Sequence, residues 1–278
     1  MRTIIVEMRR GITSKYCIIS ILLTTVVCMS GSCMIGGKQN IIYELFVRTS
    51  YQEMLQNTDY NAYAMWCYGI GKWMYVLMPF VLGMSYTFNV DGEKKLGNVR
   101  FFLLREGRKG YCFSRMITCM ISGGVCMVTG YILYGMLIAI HFPFPSAYGH
   151  EMLQDYMSYM GIHSFKIEII KRIFDVFLYG MVTNIFVYIV SVFFTDRYVL
   201  MSFPVMAAYI YNSIINYLEA RFISSEKEQY LDILQIVKLD TIINGNSFFL
   251  KEIAFLYILI MYIAIYKVYC IKVNKDGE

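Results

Sequence analysis

Apolar and polar positions in this chain alternate on the scale of whole segments. Six runs of about 20 residues, 17–37, 68–88, 116–140, 173–195, 198–218 and 253–271, are almost free of charge, and polar stretches separate them. At 1.5 Å of rise per residue, each is near the length needed to cross a hydrocarbon layer of ~30 Å as a helix. A soluble core has no need of uninterrupted apolar runs this long. The pattern therefore predicts an all-α integral membrane protein, with six transmembrane helices forming a single domain over 1–278. Three runs hold one charge near an end (Lys72, Asp175 and Lys267), where a side chain can reach the headgroups or face protein.

The polar stretches carry weaker patterns. Residues 1–16 place Ile4, Ile5 and Met8 among Glu7, Arg9, Arg10 and Lys15, which suits a helix lying in the membrane interface. A cleaved leader is disfavoured, because the following run is longer than such a segment and no A-x-A site follows it. Residues 41–55 predict a short surface helix. Residues 219–252 predict an amphipathic helix, from the capping-box spacing Ser225-x-x-Glu228, the stripe Leu231, Leu234 and Val237, and the stop at Asn244-Gly245. Asp196-Arg197 leaves room only for a tight turn, so the fourth and fifth runs must be antiparallel neighbours.

Charge orients the pattern. With both termini in the cytoplasm, the inner segments hold 15 basic and seven acidic residues and the outer segments 10 and 13, or net +8 against −3. The overall +5 is thus a topology signal and argues against nucleic-acid binding. The inner charge is concentrated at 91–115, where Lys94, Lys95, Arg100, Arg105, Arg108, Lys109 and Arg115 surround Val99, Phe101, Phe102, Leu103 and Leu104. A solvated linker does not need that apolar knot, and a span could not hold those charges at ~2.5–3.5 kcal/mol each. A short cytoplasmic helix under the membrane, presenting a basic and apolar surface, fits both facts.

Candidate chemistry is sparse. Cys112, Cys119 and Cys126 recur every seven residues as small packing residues, and Cys33 and Cys67 both fall near the outer surface, where pairing is possible in principle. Ser122, Cys126 and Gly130 form a small-residue stripe suited to close helix packing. Tyr209, Asn212 and Asn216 share one face of the fifth run, and Asn184 sits in the fourth. Each fits an interhelical hydrogen bond, a transport path or a subunit interface. His150-Glu151 fails the H-E-x-x-H test at Gln154, and His141 and His163 are isolated, so no metal site is expected. There is no phosphate-cradling G-x-x-x-x-G-K-[ST] and no nucleophile elbow, so the chain does not read as an enzyme.

The segment containing Glu93, Gly97, Leu103-Leu104, Gly107, Arg108, Tyr111 and Arg115, together with V-E-M-R-R-G-I-T-S-K-Y at 6–16 and the six-run layout, resembles the permease subunits of type-two ATP-binding-cassette (ABC) exporters. Asn98, Gly107 and Arg115 stand where that family commonly has Thr, Pro and Lys. The resemblance implies a cytoplasmic coupling helix between spans two and three and short external helices before span six. It also implies a cell-membrane, multi-pass protein that works with a separate ATPase subunit and a second permease copy, identical or not. ATP and Mg would belong to the ATPase, with no cofactor on this chain. Asn98, Arg100, Phe101, Leu104, Arg105, Gly107 and Arg108, together with residues 1–15, would dock onto it. Contact of this loop with anionic lipid stays open as another reading. So do a non-transporting membrane partner (immunity, sensing or scaffold protein) and a secondary carrier or membrane enzyme.

Overall fold

The computed structural model describes residues 6, 8–9, 11–33, 39–46, 51–70, 72–95, 98–160, 164–194, 196–224 and 248–275, and for some of these, including 89–95 and 98–102, the backbone alone. The described chain is all-α apart from a two-residue antiparallel bridge that pairs Ser32–Cys33 (β1) with Gln39–Asn40 (β2). Each of the six apolar runs contains a long helix: α1 (Lys15–Met29), α5 (Lys72–Lys95), α6 (Asn98–His141), α8 (Phe165–Phe193), α9 (Arg197–Ser224) and α10 (Phe248–Lys275). Short helices α2 (Ile41–Phe46), α3 (Tyr51–Gln56) and α4 (Ala62–Tyr68) precede α5, and α7 (His150–Met160) precedes α8.

Three stretches are long and apolar enough to cross a membrane: Lys109–Ala147, Phe165–Phe193 and Tyr198–Leu218. These mark the chain as a membrane protein. The apolar helices Lys15–Met29, Val76–Phe88 and Leu259–Ile271 are shorter. Fifteen residues of α1 extend about 22 Å, less than a full hydrocarbon layer. The first run is predicted helical to residue 37, but the helix stops at Met29 and the chain turns into β1 through Ser30, whose hydroxyl and amide bond back to the last carbonyls. The helix predicted over 41–55 is two helices, α2 and α3. The pattern read at 225–247 lies outside the described residues, as does His163.

Contacts across the bundle set the direction of each helix against its neighbours. Ser20 Oγ donates to Val81 O at 2.6 Å, and Tyr16 stacks on Phe88 at 4.3 Å, so α1 and α5 are antiparallel. Cys17 meets Cys126, and Thr25 Oγ1 donates to Gly130 O at 3.1 Å, so α1 and α6 are parallel. Asn184 bonds to Cys119 while Gly180 faces Gly123, so α6 and α8 are antiparallel. The Asp196 turn brings α8 and α9 together as expected, with Asp196 Oδ1 accepting from Tyr198 N at 2.9 Å.

The core gathers around α6 and α8, where glycine permits close approach. A Cβ at Gly180 would lie 2.6 Å from the Gly123 carbonyl oxygen, and one at Gly130 would lie 2.6 Å from Thr24 Cβ. Of the predicted Ser122, Cys126 and Gly130 stripe, Cys126 and Gly130 meet α1, with Ser122 buried beside them. Small residues let backbones approach in a bundle where lipid tails remove most of the hydrophobic incentive to associate. Gly180→Ala is expected to destabilise the protein by about 1–3 kcal/mol through overpacking, read as a lower unfolding temperature in detergent. Gly149→Ala, whose Cβ meets nothing within 4 Å, is expected to leave that temperature unchanged.

Candidate functional site

The charged stretch at 91–115 is helical almost throughout. α5 runs to Lys95 and α6 begins at Asn98, and within α6 the backbone departs from helical geometry at Gly107, with φ 73° and ψ 160°. A residue with a Cβ is strained in that region, which makes glycine the natural occupant. Proline, with φ fixed near −65°, could not adopt this bend. The bend separates a helical segment at 98–106 from the long apolar part of α6. Beyond it, Lys109 O accepts from Tyr266 Oη at 3.4 Å, and Phe113 meets the Tyr266 ring edge-on at 6.3 Å, which ties the start of the long part to α10.

Within the short segment, Leu103 packs against the core and Leu104 is 86% exposed. Arg100, Phe101 and Leu104 fall on one face by helical register, and Arg105 is the next residue round. The side chains of Asn98, Arg100, Phe101, Arg105 and Arg108 lie outside the described ones; their backbone positions place them before and immediately after the bend. The segment predicted as an interfacial helix is helical at Val6, Met8–Arg9 and Gly11–Ile12. It is set off from α1 by a turn in which Ser14 Oγ accepts from Cys17 N at 3.1 Å. Gly11 lies against Thr118, which brings this segment beside the first half of α6.

The polar residues of the fourth and fifth runs do not form one site. Tyr209 is 61% exposed, Asn216 is exposed and Asn212 is half-buried, on a helix whose other side rests on α5 and α8 through contacts such as Tyr211 with Phe186. Asn184 is fully buried and turned toward α6, where its Nδ2 donates to Cys119 O at 3.0 Å. Its Oδ1 has no hydrogen-bond partner among the described residues.

The structure also shows which charges of the long helices lie inside the protein. Arg115, read from the sequence as part of the cytoplasmic charge, is 3% exposed, with its guanidinium 5.2 Å from the centre of the Tyr111 ring. Asp175 is buried in protein. Arg172 joins a clamp on the end of α4: its Nη2 donates to Cys67 O at 3.3 Å, Tyr131 Oη to Trp66 O at 2.9 Å and Tyr134 Oη to Met65 O at 2.6 Å. Carbonyls of the last turn of α4 are thus met by donors from α6 and α8, one of them a cation, the sign favoured at a helix C-terminus; Trp66 O and Cys67 O also accept from the backbone amides of Gly69 and Ile70. Cys67 is a free thiol, and burial pushes its pKa up against the pull of the Arg172 guanidinium. The Cys33 side chain lies outside those described. Register was the available signal for Arg115, which stands four residues from both Tyr111 and Cys119 on the buried stripe of α6.

Beside the clamp, Tyr63, Trp66, Gly135, Phe144, Phe165 and Ile169 help line an apolar cavity of about 520 Å³. Among the described residues, no three His, Cys, Asp or Glu side chains gather as metal ligands would. By its helices this is an all-α membrane protein. No protein-family model matches the chain, and no curated protein matches it.

Gly107→Ala is expected to cost about 1–3 kcal/mol of backbone strain although the space around it is open, and to change the bend. Spin labels at the exposed positions Leu104 and Phe113, read by pulsed electron resonance, should report a changed separation; an unchanged one would show that the bend does not need glycine. Tyr134→Phe leaves the Met65 carbonyl without its donor and is expected to cost about 1–3 kcal/mol, measured by thermal unfolding.

Proposed function

We propose that this chain is the permease subunit of an ABC exporter, a six-span protein of the cell membrane with both termini in the cytoplasm. A separate ATPase subunit would bind beneath it and supply the energy of ATP hydrolysis, with the Mg-nucleotide held on that partner. The docking surface comprises Asn98, Arg100, Phe101, Leu104, Arg105, Gly107 and Arg108, next to the interfacial segment at 1–15. Two permeases, identical or not, complete the working unit. Tyr209, Asn212 and Asn216 line the transport path or the contact between permeases, and movement of the docking helix rocks the bundle to open a path outward.

The observation that carries this reading is Leu104, an apolar side chain 86% exposed on a basic helical segment that ends at a glycine bend. Burying a leucine stabilises by about 1.5–3 kcal/mol, so its exposure leaves a favourable contact for a partner to make. A buried apolar anchor with a charged rim is the usual anatomy of a protein interface. Lipid offers α9 a poor environment for Tyr209 and Asn216, and a second helix or a wet path suits them better.

Replacing Phe101 and Leu104 together by Asp is expected to abolish co-purification of the ATPase while leaving membrane insertion intact. A complex that survives the double change would overturn the docking surface. A single cysteine placed at Phe101 is expected to resist an impermeant thiol reagent in intact cells; labelling from outside would reverse the orientation and remove the proposal.

A further inference from the structure

The cysteine stripe of α6 presents more than small packing residues. Cys126 Sγ lies 3.1 Å from Cys17 Sγ of α1, both side chains are essentially inaccessible, and both thiols are free. A disulfide needs 2.03–2.05 Å between the sulfurs, so about one ångström of movement separates this pair from a covalent bond. Cys119, one heptad earlier, instead donates to the Asn184 carbonyl at 3.5 Å. The neighbourhood of the pair is tightly defined: Ser20 on α1 is tied to Val81 and Thr25 to Gly130. Two helices 109 residues apart in sequence are therefore held with a dithiol across their contact.

We infer that Cys17 and Cys126 form an oxidation site that a small apolar disulfide converts to a covalent staple between α1 and α6. The step is thiol–disulfide exchange. The sulfur of one cysteine attacks the reagent, which forms a mixed disulfide and releases one reagent thiol. The second cysteine sulfur attacks the protein-side sulfur of that mixed disulfide, the protein S–S bond forms and the second reagent thiol leaves. Two protein thiols are oxidised, one reagent disulfide is reduced, and the two thiol protons end on the two released thiols. Burial keeps water and charged reagents away from both sulfurs, so the site selects an apolar oxidant over a charged one. This inference does not depend on the proposed function.

The test uses the full chain in its membranes with 2,2′-dithiodipyridine as the probe, followed by blocking of residual thiols in detergent and peptide mapping by mass spectrometry without reduction. The expected result is a peptide pair joined through Cys17 and Cys126, loss of both free thiols and release of two thiopyridones per linked pair. A parallel sample treated with the doubly charged 5,5′-dithiobis(2-nitrobenzoate) is expected to show neither the link nor the loss. Recovery of both thiols unreacted with the apolar probe, separate adducts on each, or a link from either one to a different cysteine would each overturn the inference. Equal reaction with the charged reagent would place the pair in water and overturn it too. Cys126→Ser is expected to leave Cys17 with at most a reagent adduct, and mapping of the wild-type chain stands even if that variant fails to fold.

Discussion

The close approach of α6 to α8 is the constraint on which the rest of the bundle depends. Where Gly123 faces Gly180 there is no room for a Cβ on either helix, and Asn184 spans the same contact to the Cys119 carbonyl. With two backbones this near, α6 becomes the central post, against which α1, α5, α8 and α10 all pack. Dispersion and hydrogen bonds across such contacts replace the hydrophobic term, which is weak between helices surrounded by lipid. Tyr262 Oη donating to Met181 O at 2.7 Å and Tyr179 Oη to Met74 O at 3.4 Å extend this mode of attachment to α10 and α5.

Tyrosine is the recurrent device. Tyr131 and Tyr134 on α6, Tyr179 and Tyr188 on α8 and Tyr262 on α10 are all buried, and each phenol donates to a carbonyl on another helix. Most of those carbonyls already accept within their own helix, so the phenols use second lone pairs and the ladders stay whole. Two tyrosines and Arg172 converge on the end of α4, where Trp66 O and Cys67 O also accept from the amides of Gly69 and Ile70. A short helix too small to be stable alone is thereby fixed to the long ones.

The charged segment was legible as composition, seven basic residues around an apolar knot, and in the structure its helix opens at Asn98. Its bend at Gly107 was legible only as a glycine, because a positive φ leaves no trace beyond the residue that permits it. Arg115 was placed with the loop because it borders an apolar run, and composition does not distinguish the last residue outside a bundle from the first one inside. Asn184 and the Tyr209, Asn212 and Asn216 face looked alike in sequence. They differ because α8 is enclosed by neighbours and α9 is covered on one side.

Hydropathy alone determined that this chain is helical, rich in membrane-length apolar segments and strongly basic in one segment between them, since the solvent a segment prefers is a sum over its own residues. Which of those helices touch, where α1 stops, that Cys17 faces Cys126 and that Arg115 lies inside were decided by tertiary structure. Those outcomes depend on the rotation of each helix about its axis, and that rotation is set by small residues and buried hydrogen bonds on partners 60 to 110 positions away in the chain.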